Sequence, residues 1–228
     1  IRKTNITKSE AGGITQAISS TTIPIQTIRK ISGKLIDQAK LDLKLPGLLF
    51  LDTPGHAAFN NLRKRGGNLA DIAILVIDIT EGVMPQTLES INILKQYKTP
   101  FIVAANKIDK IPGYLKQDES LLKDLNSQPE RIKYDVDQKI YELVGKLSEL
   151  GFNAERFDRV TDYTSQVAII PIAALSGHGV PELLMVLVGL AQKYLEKSLQ
   201  TEASGPGKGT ILEVKEASGA GAILDVVI

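Results

Sequence analysis

The chain has 228 residues, 43% of them hydrophobic, and 27 Lys and Arg against 26 Asp and Glu give a net charge of +1. That length accommodates one large domain and a fragment of a second, and the near-balance of charge excludes a global field that would demand nucleic acid or membrane as partner, though not a local basic face. The absence of cysteine removes disulfide frameworks and thiolate metal sites and fits a reducing cytosol.

Ile1-Arg2-Lys3-Thr4 has no apolar signal core. Both ends read as cut: Ile1 opens without a methionine and Ile228 closes inside an apolar, strand-like run. Ala11-Gly12-Gly13-Ile14-Thr15-Gln16 is a Gly-rich loop with one hydroxyl; Thr15 can ligate Mg²⁺ when a γ-phosphate is present, and a flexible link is the plainer reading. Leu48 to Leu51 is a short apolar run ending at Asp52, Ile72 to Ile77 ends at Asp78, Phe101 to Ala105 ends at Asn106, and Val167 to Ile170 is a fourth. Continuous apolar runs suit strands buried on both faces. Between them, Pro85 to Tyr97 spaces Leu88, Ile91 and Leu94 as a helix does. Ile140 to Leu150 repeats the pattern with Leu143, Val144 and Leu147, and Gly151 supplies the stop. Val180 to Leu199 is the longest helical pattern, yet Pro181, Glu182, Gln192 and Lys193 keep it from being a membrane span of roughly 18 apolar residues.

Strand–helix alternation predicts an α/β domain, a mostly parallel sheet with helices on both faces, which binds ligands at the carboxyl ends of its strands. Glu202 to Gly207 reads as a linker. Beyond it, Gly209 to Val214 and Ala222 to Ile228 read as two strands joined by a turn at Ser218 to Gly221. The boundary therefore falls between residues 1–203 and an all-β second domain beginning in 204–228.

The strand ends carry the chemistry. In Asp52-Thr53-Pro54-Gly55-His56, Asp52 can hold Mg²⁺ through water, and Gly55 lets a backbone N–H approach a terminal phosphate. His56 can position the water that attacks it. The alternative is a plain turn built of Asp, Pro and Gly. In Asn106-Lys107-Ile108-Asp109, the Asp109 carboxylate can accept both the ring N–H and the exocyclic amine of guanine, a pattern adenine does not present. Lys107 can cover the base face and Asn106 can tie adjoining loops together, or the stretch is a solvated loop. In Ala173-Ala174-Leu175-Ser176-Gly177, backbone N–H groups can meet the guanine carbonyl, although a bland strand-to-helix loop is the commoner reading. His178 reads as an exposed loop histidine, and two distant histidines make no metal constellation.

In this order the four elements resemble switch I, switch II and the two base-recognition motifs of translational GTPases. Switch II ending in His56 separates them from Ras-like proteins, which carry glutamine there. Glu10 to Gln16, Pro46 to Phe59, Leu62 to Gly67 and Gly82 to Thr87 resemble the initiation factor 5B family and its bacterial relative. Thr99 to Pro112, the insert from Gly113 to Phe157, and Gly205 to Glu216 favour the 5B type. The resemblance implies a P-loop-NTPase-type fold followed by the start of a β-barrel domain. It implies GTP and GDP as ligands with Mg²⁺ on Thr15 and Asp52, and a ribosome-stimulated GTPase with His56 catalytic. The base and phosphates would meet Thr15, Asp52, Thr53, Pro54, Gly55, His56, Asn106, Lys107, Ile108, Asp109, Ala173, Ala174 and Leu175. It further implies a cytoplasmic factor acting in subunit joining on the ribosome with rRNA and initiator tRNA, alongside other initiation factors and without a membrane.

Three features depart from the family pattern. No G-x-x-x-x-G-K-[ST] occurs; in the family that loop precedes the segment beginning at Ile1, so the fragment alone is expected to bind nucleotide poorly. Ala173 stands where Ser is usual, and Ala17 where His is frequent. The competing readings are a nucleotide-free docking module on a degenerate fold, and another translational GTPase such as an elongation or selenocysteine factor.

Overall fold

The computed structural model describes residues 19–53, 70–118, 120–195, 209–217 and 221–227. Its centre is β4 (Phe101–Asn106), a run whose first five residues are all buried. Its two edges pair with β3 (Ala73–Asp78) and β6 (Val167–Ile172), and burial of its two faces calls for helices packed above and below the sheet. All pairings in this sheet are parallel, in the order β3-β4-β6-β5, with the short β5 (Ala154–Arg156) on the edge. Pro171 lies inside β6 without breaking the ladder. Phe157 N–H donates to Ile169 O, so Ile169 and, two residues on, Pro171 face the β5 side, where β5 has already ended.

Helices cover the sheet. α2 (Pro85–Tyr97) has the expected bounds: Pro85 opens it and Lys98, at a left-handed φ of 54°, closes it. The insert forms α3 (Leu121–Ser127) and α4 (Glu130–Glu149). α4 begins ten residues before the expected Ile140, because Ile132 and Val136 extend the buried stripe of Ile140, Leu143 and Leu147. β5 is tied to α4 by the buried Arg156, which donates to Asp137 and, with two nitrogens, to Asp158.

α5 (Val180–Leu195) lies between two apolar clusters. Leu183, Val186, Leu187 and Leu190 face the main core, while Val180, Leu184 and Val188 face a smaller one. The smaller cluster includes Ile23 of β1 (Ser19–Pro24), and Ile28 and Ile36 of α1 (Ile25–Gln38). β1 and α1 lie outside the elements expected above, although Ile25, Ile28, Leu35 and Ile36 recur at helical spacing in α1. β1 pairs antiparallel with β2 (Gly47–Asp52), and among the described residues this ladder is separate from the parallel sheet. The expectation that the Leu48–Leu51 run is buried on both faces therefore fails: β2 residues are half-buried or exposed, Leu49 among the exposed. β7 (Thr210–Ala217) and β8 (Gly221–Val227) form an antiparallel hairpin in the region expected to hold two strands.

Candidate functional site

Register assembles the site. Asp78 of β3 is the partner of Asn106 of β4, and Asn106 is the partner of Ile172 of β6. Three strands thus end in one row, and the loops leaving them share one edge of the sheet.

At the end of β4, Lys107 adopts a left-handed φ of 68° and caps a single 3₁₀ turn, Ile108–Lys110. Lys110 N–H donates to Lys107 O and Ile111 N–H to Ile108 O. The turn buries Ile108 completely, which anchors it, and leaves Asp109 exposed. Among the described residues Asp109 makes no hydrogen bond, so both carboxylate oxygens remain available to a ligand. Asn106 does what a loop tie requires: its side-chain oxygen accepts the Ala174 N–H at 2.9 Å.

The second loop is closed at its base by a single bridge between Ala173 and His178, with Ala173 N–H donating to His178 O at 2.9 Å. Inside it Ser176 Oγ donates to Ala173 O, and Leu175 at the tip is fully exposed. The two loops that carry Asn106, Ile108, Asp109, Ala173, Ala174 and Leu175 therefore adjoin at one edge of the sheet.

The half-exposed Lys107 side chain is held at its tip. Its ammonium lies 2.6 Å from Asp78 Oδ2. Asp78 also accepts the Thr80 N–H at 2.9 Å and the Thr80 hydroxyl at 2.7 Å. Burial pushes the Asp78 carboxyl up, but the Lys107 ammonium and the Thr80 bonds outweigh it and hold the carboxyl down at about 2. The hydrogen bond to Asp78 raises the Lys107 ammonium in turn.

Asp52 lies exposed at the end of β2 with Thr53 after it. Thr15, Pro54, Gly55 and His56 lie outside the described residues. Among the described residues no group of three His, Cys, Asp or Glu could hold a metal ion, so Asp52 alone of the expected Mg²⁺ ligands is in view.

The reading of His178 as an exposed loop residue is corrected: it is 2% exposed and contacts Asp124 and Tyr114. Its flanking glycines suggested a loop, while the groups that bury it come from the insert, 54 or more residues earlier, and have no sequence pattern.

The sequence model of the elongation factor Tu GTP-binding domain matches residues 3–193. The chain belongs to this family. Among named relatives, "Probable translation initiation factor IF-2" of Thermococcus kodakarensis is 55% identical over all of this chain, which spans 20% of that protein. The same-named protein of Methanopyrus kandleri is 53% identical, again over the whole chain and 38% of the relative. The chain thus spans between a fifth and two fifths of the length of these relatives. Among solved structures, GDP-bound aIF5B from Aeropyrum pernix superposes with a TM-score of 0.81 at 47% identity, over 95% of this chain and 36% of that one. The row of Asp78, Asn106 and Ile172 places the 107–110 turn and the 173–178 loop side by side.

Proposed function

We propose that this chain binds GTP and GDP and hydrolyses GTP as the switch of a translation initiation factor. The observation that carries the reading is Asp109. An exposed carboxylate with no hydrogen bond among the described residues sits on a turn anchored by the buried Ile108. Beside it Asn106 fixes the loop whose backbone faces the same edge. That pairing suits a planar ligand offering two adjacent N–H donors and one carbonyl, which is guanine.

Residues 1–203 would form the GTP-binding domain and residues 204–228 the start of a β-barrel domain. Asp52, through water, and Thr15 would hold Mg²⁺, which supplies neutralisation of charge on the β- and γ-phosphates. Thr53, Pro54 and Gly55 would carry a backbone N–H toward the γ-phosphate, and His56 would orient the attacking water. Release of Thr15 and the 52–56 segment on loss of the γ-phosphate is the physical basis of a switch. The relatives are named translation initiation factors; a cytoplasmic role on the ribosome with initiator tRNA, where hydrolysis would be stimulated, is part of this proposal.

Asp109→Asn tests the assignment in the full-length protein, since these 228 residues alone are expected to bind nucleotide poorly. It should weaken GTP binding by roughly 10- to 100-fold, the loss of a charge-assisted pair. It should also favour xanthosine triphosphate, whose oxygen replaces the guanine amine. Competition binding with GTP, ATP and xanthosine triphosphate reads both. Equal affinity of the unsubstituted chain for ATP and GTP would refute the reading.

A further inference from the structure

Beneath the 173–178 loop lies a buried polar cluster that the proposed chemistry does not use. Tyr114 Oη donates to Asp124 Oδ2 at 2.8 Å. His178 Nε2 lies 2.9 Å from the same oxygen and 3.0 Å from Tyr114 Oη. The other Asp124 oxygen accepts the backbone N–H of Gln117 at 2.7 Å and of Asp118 at 3.2 Å. Asp124 is fully buried and the His178 side chain nearly so. An acceptor-only carboxylate is suited by an N–H donor, and His178 Nε2 lies in place to supply one. Burial pushes the Tyr114 hydroxyl far above its ordinary range, so it remains a donor. A second tie runs alongside: the Leu121 N–H, in the first turn of α3, donates to Glu182 Oε1 in the first turn of α5 at 2.8 Å.

We propose that Tyr114, Asp124 and His178 form a brace by which the 113–157 insert sets the position of the base-facing loop, making all three positioning residues for guanine recognition. The inference rests on the guanine reading above. His178 closes the loop with its backbone and enters the insert with its ring, so a shift of the ring moves the loop's foot. The loop has few other restraints: Asn106 holds Ala174, and Leu175 projects wholly into solvent. Its placement is therefore fixed from two sides, Asn106 at one end and His178 at the other. Packing alone does not call for this arrangement, since apolar residues of similar volume commonly stabilise a core as well as a buried ionic cluster does. Among the described residues His178 Nδ1 and Glu182 Oε2 are buried with no hydrogen-bond partner, a desolvation cost that apolar side chains in their place would not carry.

The loop's backbone would meet O6 of guanine, whereas Asp109 would meet N1–H and the amine. Two base analogues separate these contacts in the full chain: 6-thio-GDP weakens only the O6 acceptor, and IDP lacks only the amine. Tyr114→Phe and His178→Ala should lower GDP affinity by about 3- to 30-fold, the range for substitutions acting at a distance. The GDP preference over 6-thio-GDP should fall toward one while the preference over IDP is retained. His178→Gln, whose amide can still donate to Asp124, should recover much of the loss. Thermal unfolding establishes that each variant is folded, and Tyr114→Phe, which deletes one hydroxyl, is the variant least able to disturb the fold. A folded Tyr114→Phe and a folded His178→Ala that both keep GDP affinity and the 6-thio-GDP preference within about twofold would overturn the brace. So would a parallel collapse of both preferences. If the unsubstituted chain does not prefer GDP to ADP, the guanine reading itself fails, and the brace falls with it.

Discussion

Lys107 holds a left-handed φ of 68° at the point where β4 ends. That region costs a side-chain-bearing residue about 1 kcal/mol or more. Asp78 offsets part of this cost by taking the Lys107 ammonium at 2.6 Å. Its carboxyl, ordinarily near 3.8, is held at about 2. A depressed carboxyl stabilises the fold above its unfolded value, and that contribution disappears as pH falls through the folded value. After allowance for solvent screening at the half-exposed Lys107, it is worth about 1 kcal/mol. Asp78→Asn retains an acceptor for Thr80 and removes the charge. It should therefore lower stability by that amount near neutrality, and the gap should close between about pH 4 and pH 2. Urea unfolding across that range reads it; a gap that persists unchanged at the acid end would show that the ion pair is not its source. The Asp109 carboxylate, by contrast, is legible in the sequence as part of a polar tetrapeptide that closes an apolar run, and the role proposed for it depends on that one group. Asp78 was legible as a strand end only, since its partner Lys107 comes from the neighbouring strand.

The elements show a similar division. α2 and the strand ends could be read directly, since each is set by its own periodicity and its own stop. β5 could not: three residues held by β6 and by the Arg156 ion pairs carry no local pattern. β1 carries little local pattern, since its buried Ile23 packs in a cluster with α5, far along the chain, whereas α1 does carry one, with Ile28, Ser32 and Ile36 on one buried face. The 173–178 loop is legible in the sequence as a loop, whereas its closure depends on a bridge that carries no local pattern. Gly177 and Gly179 both sit at positive φ, 75° and 76°. A Cβ on Gly177 would meet open space, whereas on Gly179 it would fall 2.4 Å from the Pro171 carbonyl oxygen. Gly177→Ala should thus cost about 1 kcal/mol from backbone strain. Gly179→Ala should cost about 3 kcal/mol or more, because a backbone carbonyl cannot step aside as a side chain can. Chemical denaturation of the pair measures the difference, and equal costs would mean that the close approach at Gly179 is relieved by movement of the loop.

Across the whole molecule, stability is uneven. The first five residues of β4 are buried on both faces by β3, β6 and the helices. The β7–β8 hairpin exposes Ile211, Val214, Ile223, Leu224 and Val226, and a lone two-stranded hairpin is marginal in water. In the 228-residue chain, amides of 101–105 should exchange only through global opening, and those of 210–217 and 221–227 orders of magnitude faster. Comparable protection by mass-resolved exchange would mean that the hairpin is buried against something else. The buried cluster at Asp124 also has a direction in time. Asp124 gathers Asp118, Gln117 and Tyr114 across 6, 7 and 10 residues of chain. The Tyr114–His178 and Leu121–Glu182 bonds span 64 and 61 residues, and Gln192 reaches Lys44 across 148. Short closures cost less entropy and form sooner than long ones. The carboxylate is consequently satisfied by its own neighbourhood before the imidazole arrives, so refolding builds the receiving half of the joint first and seats the base-facing loop late.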